Sequence, residues 1–251
     1  MSFKDLFSDR PEAYARYRPT YPAALFAWLA ANAPARRLAI DVATGNGQAA
    51  VGLAQHFERV LGLDPSEAQL GSARTHPRVE YRQSRAEQLV ADDASADALV
   101  VAQALHWFDP AAFFREVRRV LVPGGLLAVS CYQLTAITPE VDAVVMKLYE
   151  DQLGAYWEPE RRLVETGYRT IGFPFPELAV PAFDMRTEWN VEDLIGYLGT
   201  WSPLKRFRRE RGFDPLAAIV PELRAAWGDA RERVAVWPFT VRAFRSGVSQ
   251  V

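Results

Sequence analysis

The chain has 251 residues, 49% of them hydrophobic and 24% charged, enough apolar material for one large globular core. A formal net charge of −2 gives no overall attraction to phosphate backbones or anionic lipid, so nucleic acid and membrane are not the expected partners. The single cysteine, Cys131, excludes an intrachain disulfide framework and a thiolate metal cage, and the three histidines suggest no metal constellation.

The opening MSFKDLFSDRPEAY carries acids and lacks an apolar core of signal-peptide length. The longest apolar stretch, AALFAWLAANA, is too short to span a bilayer, and a cytoplasmic protein is expected. A helix begins near YPAA with Pro22 in its first turn, placing Leu25, Phe26, Trp28 and Leu29 on one side.

The pattern then changes to short apolar runs of strand length at Leu38–Ala43, Val60–Asp64, Val79–Arg82, Ala98–Ala104 and Leu126–Tyr132, with helical stretches between them. Strands alternating with helices predict an α/β fold whose parallel sheet is covered on both faces. In the helix after Gly47, the positions Ala50, Leu53, Ala54 and Phe57 face the sheet, while Gln48, Gln55 and Glu58 point outward. In PAAFFREVRRVLVPGG, Pro110 starts a helix with the stripe Phe113, Phe114, Val117, Val120 and Leu121, and Pro123-Gly124-Gly125 stops it.

From residue 134 to 230 helical patterns dominate, at PEVDAVVMKLYEDQL, PERRLVETG, VEDLIGYLGTW and DPLAAIVPELRAAW. Two late strand-like pieces, VPAFDMRTEWN and ERVAVWPFTVRAF, are expected to extend the sheet at its edge. The expected division is an N-terminal lid over 1–35, a nucleotide-binding core over 36–132, a helical lid with a late edge strand over 133–230, and a final strand over 231–251.

In an open parallel sheet, ligands sit at the carboxyl ends of the strands where strand order reverses. Asp41-Val-Ala43-Thr44-Gly45-Asn46-Gly47 lies at such a point, between a strand and a helix, and Asp64 ends the second strand where it can accept the hydroxyls of an adenosine ribose. GNGQAA alone also satisfies the dinucleotide pattern G-x-G-x-x-A, so an NAD-dependent oxidoreductase is the first alternative. Asp41 favours the other cofactor: a carboxylate repels a pyrophosphate at a helix N-terminus and attracts an ammonium group. S-adenosylmethionine carries that ammonium.

Asp41-x-Ala43-x-Gly45-x-Gly47, Asp64, SRAEQL (Ser84–Leu89), ALVVAQALHWFD (Ala98–Asp109) and FFREVRRVLVPGGLLAVS follow in an order that resembles the motifs of class I S-adenosylmethionine-dependent methyltransferases. Within that class the chain is most similar to the small-molecule enzymes that include trans-aconitate methyltransferase. The resemblance implies a Rossmann-like, seven-stranded, mostly parallel sheet with helices on both faces and a helical lid. It implies that Asp41 and the stretch Ala43, Thr44, Gly45, Asn46 and Gly47 hold the methionine part of the cofactor. Asp64 and Pro65 would lie at the ribose, Ala86 and Glu87 at the adenine, and Gln103 and Ala104 beside the sulfonium. Tyr14 and Arg18 look like the leader residues that close over the cofactor, Arg18 as partner of its carboxylate. Ala43 stands where the family usually has its first glycine, and Arg85 where many relatives carry an acid.

The expected reaction moves a methyl group from S-adenosylmethionine to a small-molecule acceptor, a carboxylate or hydroxyl oxygen, leaving S-adenosylhomocysteine. In-line displacement needs alignment first, and orientation alone can supply about 7–11 kcal/mol. His106 is the candidate catalytic residue, as a base toward a hydroxyl or a positioning group for a carboxylate. His106, Trp107, Tyr132 and Trp201 are the candidate acceptor contacts, with Tyr156, Trp157, Lys205, Arg206, Arg208 and Arg209 as further lid candidates. KRFRRERG reads most simply as a solvated helix end. A non-catalytic S-adenosylmethionine sensor is the second alternative; oligomeric state stays open.

Overall fold

The computed structural model describes residues 16–247, and Tyr14 lies outside them. Helices α1 (Ala23–Asn32), α2 (Gln48–Leu53), α3 (Glu67–Gly71) and α4 (Pro110–Val120) alternate with strands β1 (Leu38–Val42), β2 (Arg59–Asp64), β3 (Val79–Gln83), β4 (Ala96–Ala102) and β5 (Leu121–Tyr132). After them come α5 (Pro139–Met146), α6 (Arg161–Glu165), β6 (Glu177–Leu178), β7 (Met185–Trp189), α7 (Val191–Gly199), α8 (Pro203–Arg211), α9 (Pro215–Trp227), β8 (Arg233–Trp237) and β9 (Phe239–Arg245).

Seven strands form one sheet in the order β3-β2-β1-β4-β5-β9-β6. Strands β1 to β5 run parallel, and β9 lies antiparallel to both of its neighbours. β1, β2 and β4 are buried almost end to end because helices cover both faces. One face is closed by α1, α2 and the turn after α2 through Leu25, Phe26, Leu29, Leu53 and Phe57. The other is closed by α4 through Phe113, Phe114, Val117 and Val120. α4 begins where read, with Pro110 in its first turn and the Asp109 carboxylate accepting the Ala112 amide at 3.1 Å, a cap worth about 1 kcal/mol.

A third cluster belongs to the later helices. Val144, Leu148, Leu194, Leu198, Leu223 and Trp227 from α5, α7, α9 and the turn after α5 pack with Trp189 and Trp237.

Four expectations are corrected. The piece containing Met185–Trp189 does not extend the main sheet; it pairs with Arg233–Trp237 in a separate two-stranded ribbon. The run ERVAVWPFTVRAF breaks at Pro238, which lacks an N–H, and only Phe239–Arg245 enters the main sheet, between β5 and β6. Trp28 is half-buried against Phe183 while Ala30 takes its place in the core face of α1. Gln48 does not point to solvent: its Oε1 accepts the Tyr21 amide at 3.1 Å and its Nε2 donates to the Pro19 carbonyl at 3.2 Å.

Candidate functional site

Strand order reverses between β1 and β4, and the carboxyl ends of these strands open into a cavity of about 630 Å³, a volume within the usual range for small-molecule sites. A second depression of about 660 Å³ lies beside Arg37, Glu58, Arg59 and Glu80, and none of the predicted site residues reaches it.

Asp41 ends up in the cavity floor through the parallel pairing of β1 with β2 and β4, which buries it at 1% exposure. Its Oδ2 accepts the Thr44 hydroxyl at 2.6 Å, whereas its Oδ1 is buried with no hydrogen-bond partner among the described residues. Desolvation pushes its carboxyl up to about 7, against the opposing pull of the Thr44 hydroxyl. Asp64, at the tip of β2, accepts the Gly45 amide on Oδ2 at 2.9 Å and the Ser66 amide on Oδ1 at 2.9 Å. The second strand thereby clamps the loop of the first.

The two glycines of the loop do different work. Gly45 (φ 54°) has open space where a Cβ would stand, the nearest atom being Gln69 Oε1 at 3.9 Å, and it lines the cavity. Gly47 (φ 77°) lies outside the cavity wall, under the Tyr81 ring; a Cβ there would meet the Tyr81 hydroxyl at 2.0 Å. Ala43, at φ 57°, takes a left-handed conformation that disfavours any side chain.

Gln103 is also left-handed, at φ 59°. Its amide donates to Ser130 O at 2.8 Å, its Oε1 accepts the Tyr132 amide at 2.7 Å, and its Nε2 donates to Tyr132 O at 3.1 Å. Three bonds hold a conformation that costs about 1–3 kcal/mol. Above it, Arg18 Nη1 donates to the Tyr132 hydroxyl at 3.1 Å and Nη2 to Thr200 O at 3.3 Å, with the guanidinium over the Tyr197 ring. Arg18 thereby ties the segment before α1 to residues of β5 and α7 at the cavity wall.

His106 sits in a short helical turn after β4, 8% exposed, its Nδ1 3.0 Å from the Tyr168 hydroxyl. Burial, with Arg161 adding to it, lowers its pKa to about 3, so the ring is neutral. Arg161 lines the cavity over the Tyr149 and Trp157 rings and donates Nε to the Tyr149 hydroxyl at 3.2 Å. Trp157 and Trp201 meet edge to face at 5.5 Å.

Of the predicted residues, the structure gathers Arg18, Asp41, Ala43, Thr44, Gly45, Asn46, Asp64, Pro65, Ala86, Glu87, Gln103, Ala104, His106, Trp107, Tyr132 and Trp201 around this one cavity. Trp157 joins them; Tyr156 and the basic residues of α8 do not. Arg208 pairs instead with Asp214 at 2.6 Å, and Arg206 reaches Ala155 O and Glu158. Sequence reasoning missed Glu160, Arg161 and Tyr197 on the wall and Tyr168 behind His106. No spacing rule separates Arg161 from its neighbour Arg162, because a five-residue helix is too short to display a polar and an apolar face.

Among the described residues no group of His, Cys, Asp and Glu is placed to hold a metal ion, and no helix is long and apolar enough to cross a membrane.

The sheet order, the reversal between β1 and β4 and the helices on both faces define a Rossmann-like α/β fold. Residues 40–129 match the model of the methyltransferase domain family. A protein of Dictyostelium discoideum named as a candidate methyltransferase is 35% identical over 229 residues, 90% of this chain and 87% of its own. An uncharacterised methyltransferase of Mycobacterium bovis is 40% identical over 122 residues, 48% of this chain and 49% of its own. A solved structure from Anaeromyxobacter dehalogenans, described as a candidate type II methyltransferase, shares 50% identity with a TM-score of 0.85 over 92% of this chain and 99% of that one. The chain belongs to the class I S-adenosylmethionine-dependent methyltransferases. The oxidoreductase and sensor readings draw no support from these likenesses.

Proposed function

We propose that this methyltransferase acts on a small molecule, at a carboxylate or hydroxyl oxygen, in the manner of the group that includes trans-aconitate methyltransferase, and that it works in the cytoplasm. The observation that carries the cofactor half of this reading is Asp41: a buried carboxylate in the cavity wall beside the bare Gly45, with one oxygen that has no hydrogen-bond partner among the described residues. Such an oxygen calls for a cationic donor, and the ammonium of S-adenosylmethionine is one; a pyrophosphate would meet it with like charge. The residues present therefore fit the family's cofactor.

In this reading Asp41 and the stretch Ala43 to Asn46 hold the amino-acid part, while Gly47 serves the site only by admitting Tyr81 behind the loop. Asp64 and Pro65 lie where the ribose binds, and Ala86 and Glu87 form the adenine wall. Gln103 and Ala104 set the backbone beside the sulfonium, and Arg18, with Tyr14 ahead of it, closes over the cofactor. When bound, S-adenosylmethionine supplies a methyl group on a positively charged sulfur that leaves as neutral S-adenosylhomocysteine. The chain's part is to exclude water with Trp157 and Trp201, and to orient the acceptor with His106, Trp107 and Tyr132. The leader (1–35) and the segment 133–230 act as the lid over a core of 36–132, completed by the last strand.

The experiment is calorimetry with S-adenosylmethionine, S-adenosylhomocysteine and NADH, followed by a methyl-transfer screen over carboxylic acids and phenols. Micromolar binding of the first two and turnover of one acid or phenol class is the expected result. Uptake of NADH alone, or turnover of RNA in preference to every small acceptor, would end the proposal.

A further inference from the structure

Tyr168 stands directly behind His106, and no motif or cavity residue accounts for it. It is fully buried at 0% exposure, in the left-handed region at φ 59°, and follows Gly167, which is left-handed as well. A bulky side chain there is costly and persists only where its surroundings impose it. Here they do: the Tyr168 amide donates to Leu163 O at 2.8 Å, Arg242 Nη1 donates to Tyr168 O at 2.8 Å, and Gly167 leaves room for Thr240, which a Cβ would approach to 2.8 Å. This turn drives the phenol under β4 and β5 to reach His106 Nδ1 at 3.0 Å.

The direction of that bond follows from counting donors and acceptors. A buried phenol proton needs an acceptor, and among the described residues Nδ1 is the acceptor within reach. If Nδ1 carried the proton, the phenol hydrogen would be stranded in the core. The imidazole proton is therefore on Nε2, which makes no hydrogen bond to the described residues, and His106 lines the cavity.

We propose that Tyr168 is a positioning residue that fixes His106 as a permanent Nε2–H donor, so that His106 orients the methyl acceptor and removes no proton from it. The inference rests on the methyl-acceptor reading of the cavity and narrows it. The nucleophilic atom of the acceptor must arrive with a free lone pair, already ionised or unprotonated at working pH. His106 and Arg161, both on the cavity wall, then offer donors to it, and the His106 ring supplies no general base. The groups around the ring agree with a fixed state. From α6 comes the cation of Arg161, with Glu160 ahead of it on the cavity wall; from β5 comes Cys131, whose thiol burial pushes up to about 12; and Tyr168 itself is held well above the usual phenol range.

The test is long-range proton–nitrogen NMR on the full ¹⁵N-labelled chain, with His106 assigned against the H106N variant among the three histidines. The expected spectrum has a protonated Nε2 and a bare Nδ1, unchanged from about pH 5.5 to 8 because a ring this far below the free value of about 6.5 does not titrate there. A proton on Nδ1, or a ring that titrates in that window, overturns the proposal, and does so without reference to turnover. In Y168F the expected result is a mixed or exchanging tautomer and a kcat/KM for the acceptor lower by about tenfold or more, with S-adenosylhomocysteine affinity unchanged. Unaltered ring nitrogens and kinetics in Y168F would also overturn it. Failure of S-adenosylhomocysteine to bind the wild-type chain would instead remove the cofactor reading and leave the tautomer result standing.

Discussion

Gln103 and Tyr132 are locked backbone to side chain by two reciprocal hydrogen bonds, 2.7 Å into Gln103 Oε1 and 3.1 Å out of Nε2, across the carboxyl ends of β4 and β5. The pair joins the strained turn after β4 to the residue whose hydroxyl receives Arg18. Replacing Gln103 with alanine removes both of these bonds from the buried Tyr132 backbone. A loss of about 2–4 kcal/mol is expected from two unmade bonds, with a matching loss of order in the leader. Urea unfolding checks the first, and proteolysis near residue 18 the second.

Gly45 and Gly47 separate under substitution. G47A forces a methyl into the Tyr81 hydroxyl as well as a left-handed alanine, and is expected to lower stability by about 2–4 kcal/mol. G45A meets open space, so its stability cost is only the left-handed strain of about 1–2 kcal/mol. Its methyl fills the cavity floor, and the expected defect is weaker cofactor binding. Parallel thermal melts and calorimetry of the two variants distinguish these outcomes.

If Asp41 holds the cofactor's ammonium as proposed, cofactor binding is expected to depend on pH. With its carboxyl near 7, a cationic ligand binds the ionised form and displaces a proton below that pH. Affinity is expected to fall about tenfold per unit below pH 7 and to level off above it, since one bound proton must leave. Calorimetry in buffers of different ionisation enthalpy measures that proton directly.

The same carboxyl acts on folding with the opposite sense. Between pH 3.8 and about 7 the unfolded chain has lost the Asp41 proton and the folded chain still holds it, so this group's contribution to stability falls as pH rises through that window. D41N removes the buried charge. At pH 8 it is expected to be more stable than the wild-type chain and to bind S-adenosylmethionine at least tenfold more weakly, which unfolding and binding titrations on the same sample would show.

Ala43 carries strain the family's usual glycine would not. A43G at φ 57° is expected to raise stability by about 1 kcal/mol, read as a melting temperature higher by about 2–4 °C for a chain of this length. An unchanged or lower melting temperature would show that the surrounding contacts repay the alanine methyl.

Much of the core was legible because its signals are local. β1, β2 and β4 are apolar throughout since both faces are covered, and α4 announces itself by the Asp109–Pro110 start and the Phe113, Phe114, Val117 stripe. The cavity floor was legible too, because Asp41, Gly45 and Asp64 sit at strand ends that any parallel pairing brings together. The late strands were not. Whether Met185–Trp189 joins the large sheet or pairs with Arg233–Trp237 depends on partners more than forty residues away, and alternation alone carries no address.

The order of strand and helix and the chemistry of the first two strand ends are properties of the sequence by itself, since each rests on neighbours a few residues apart and on periodicities the backbone enforces. What stands behind His106, which cation shares its cavity wall, and which of two glycines opens onto the cavity were settled only by packing. Those relations join Tyr168, Arg161 and Tyr81 to residues distant along the chain, and they exist only once burial of apolar surface has closed the sheet beneath them.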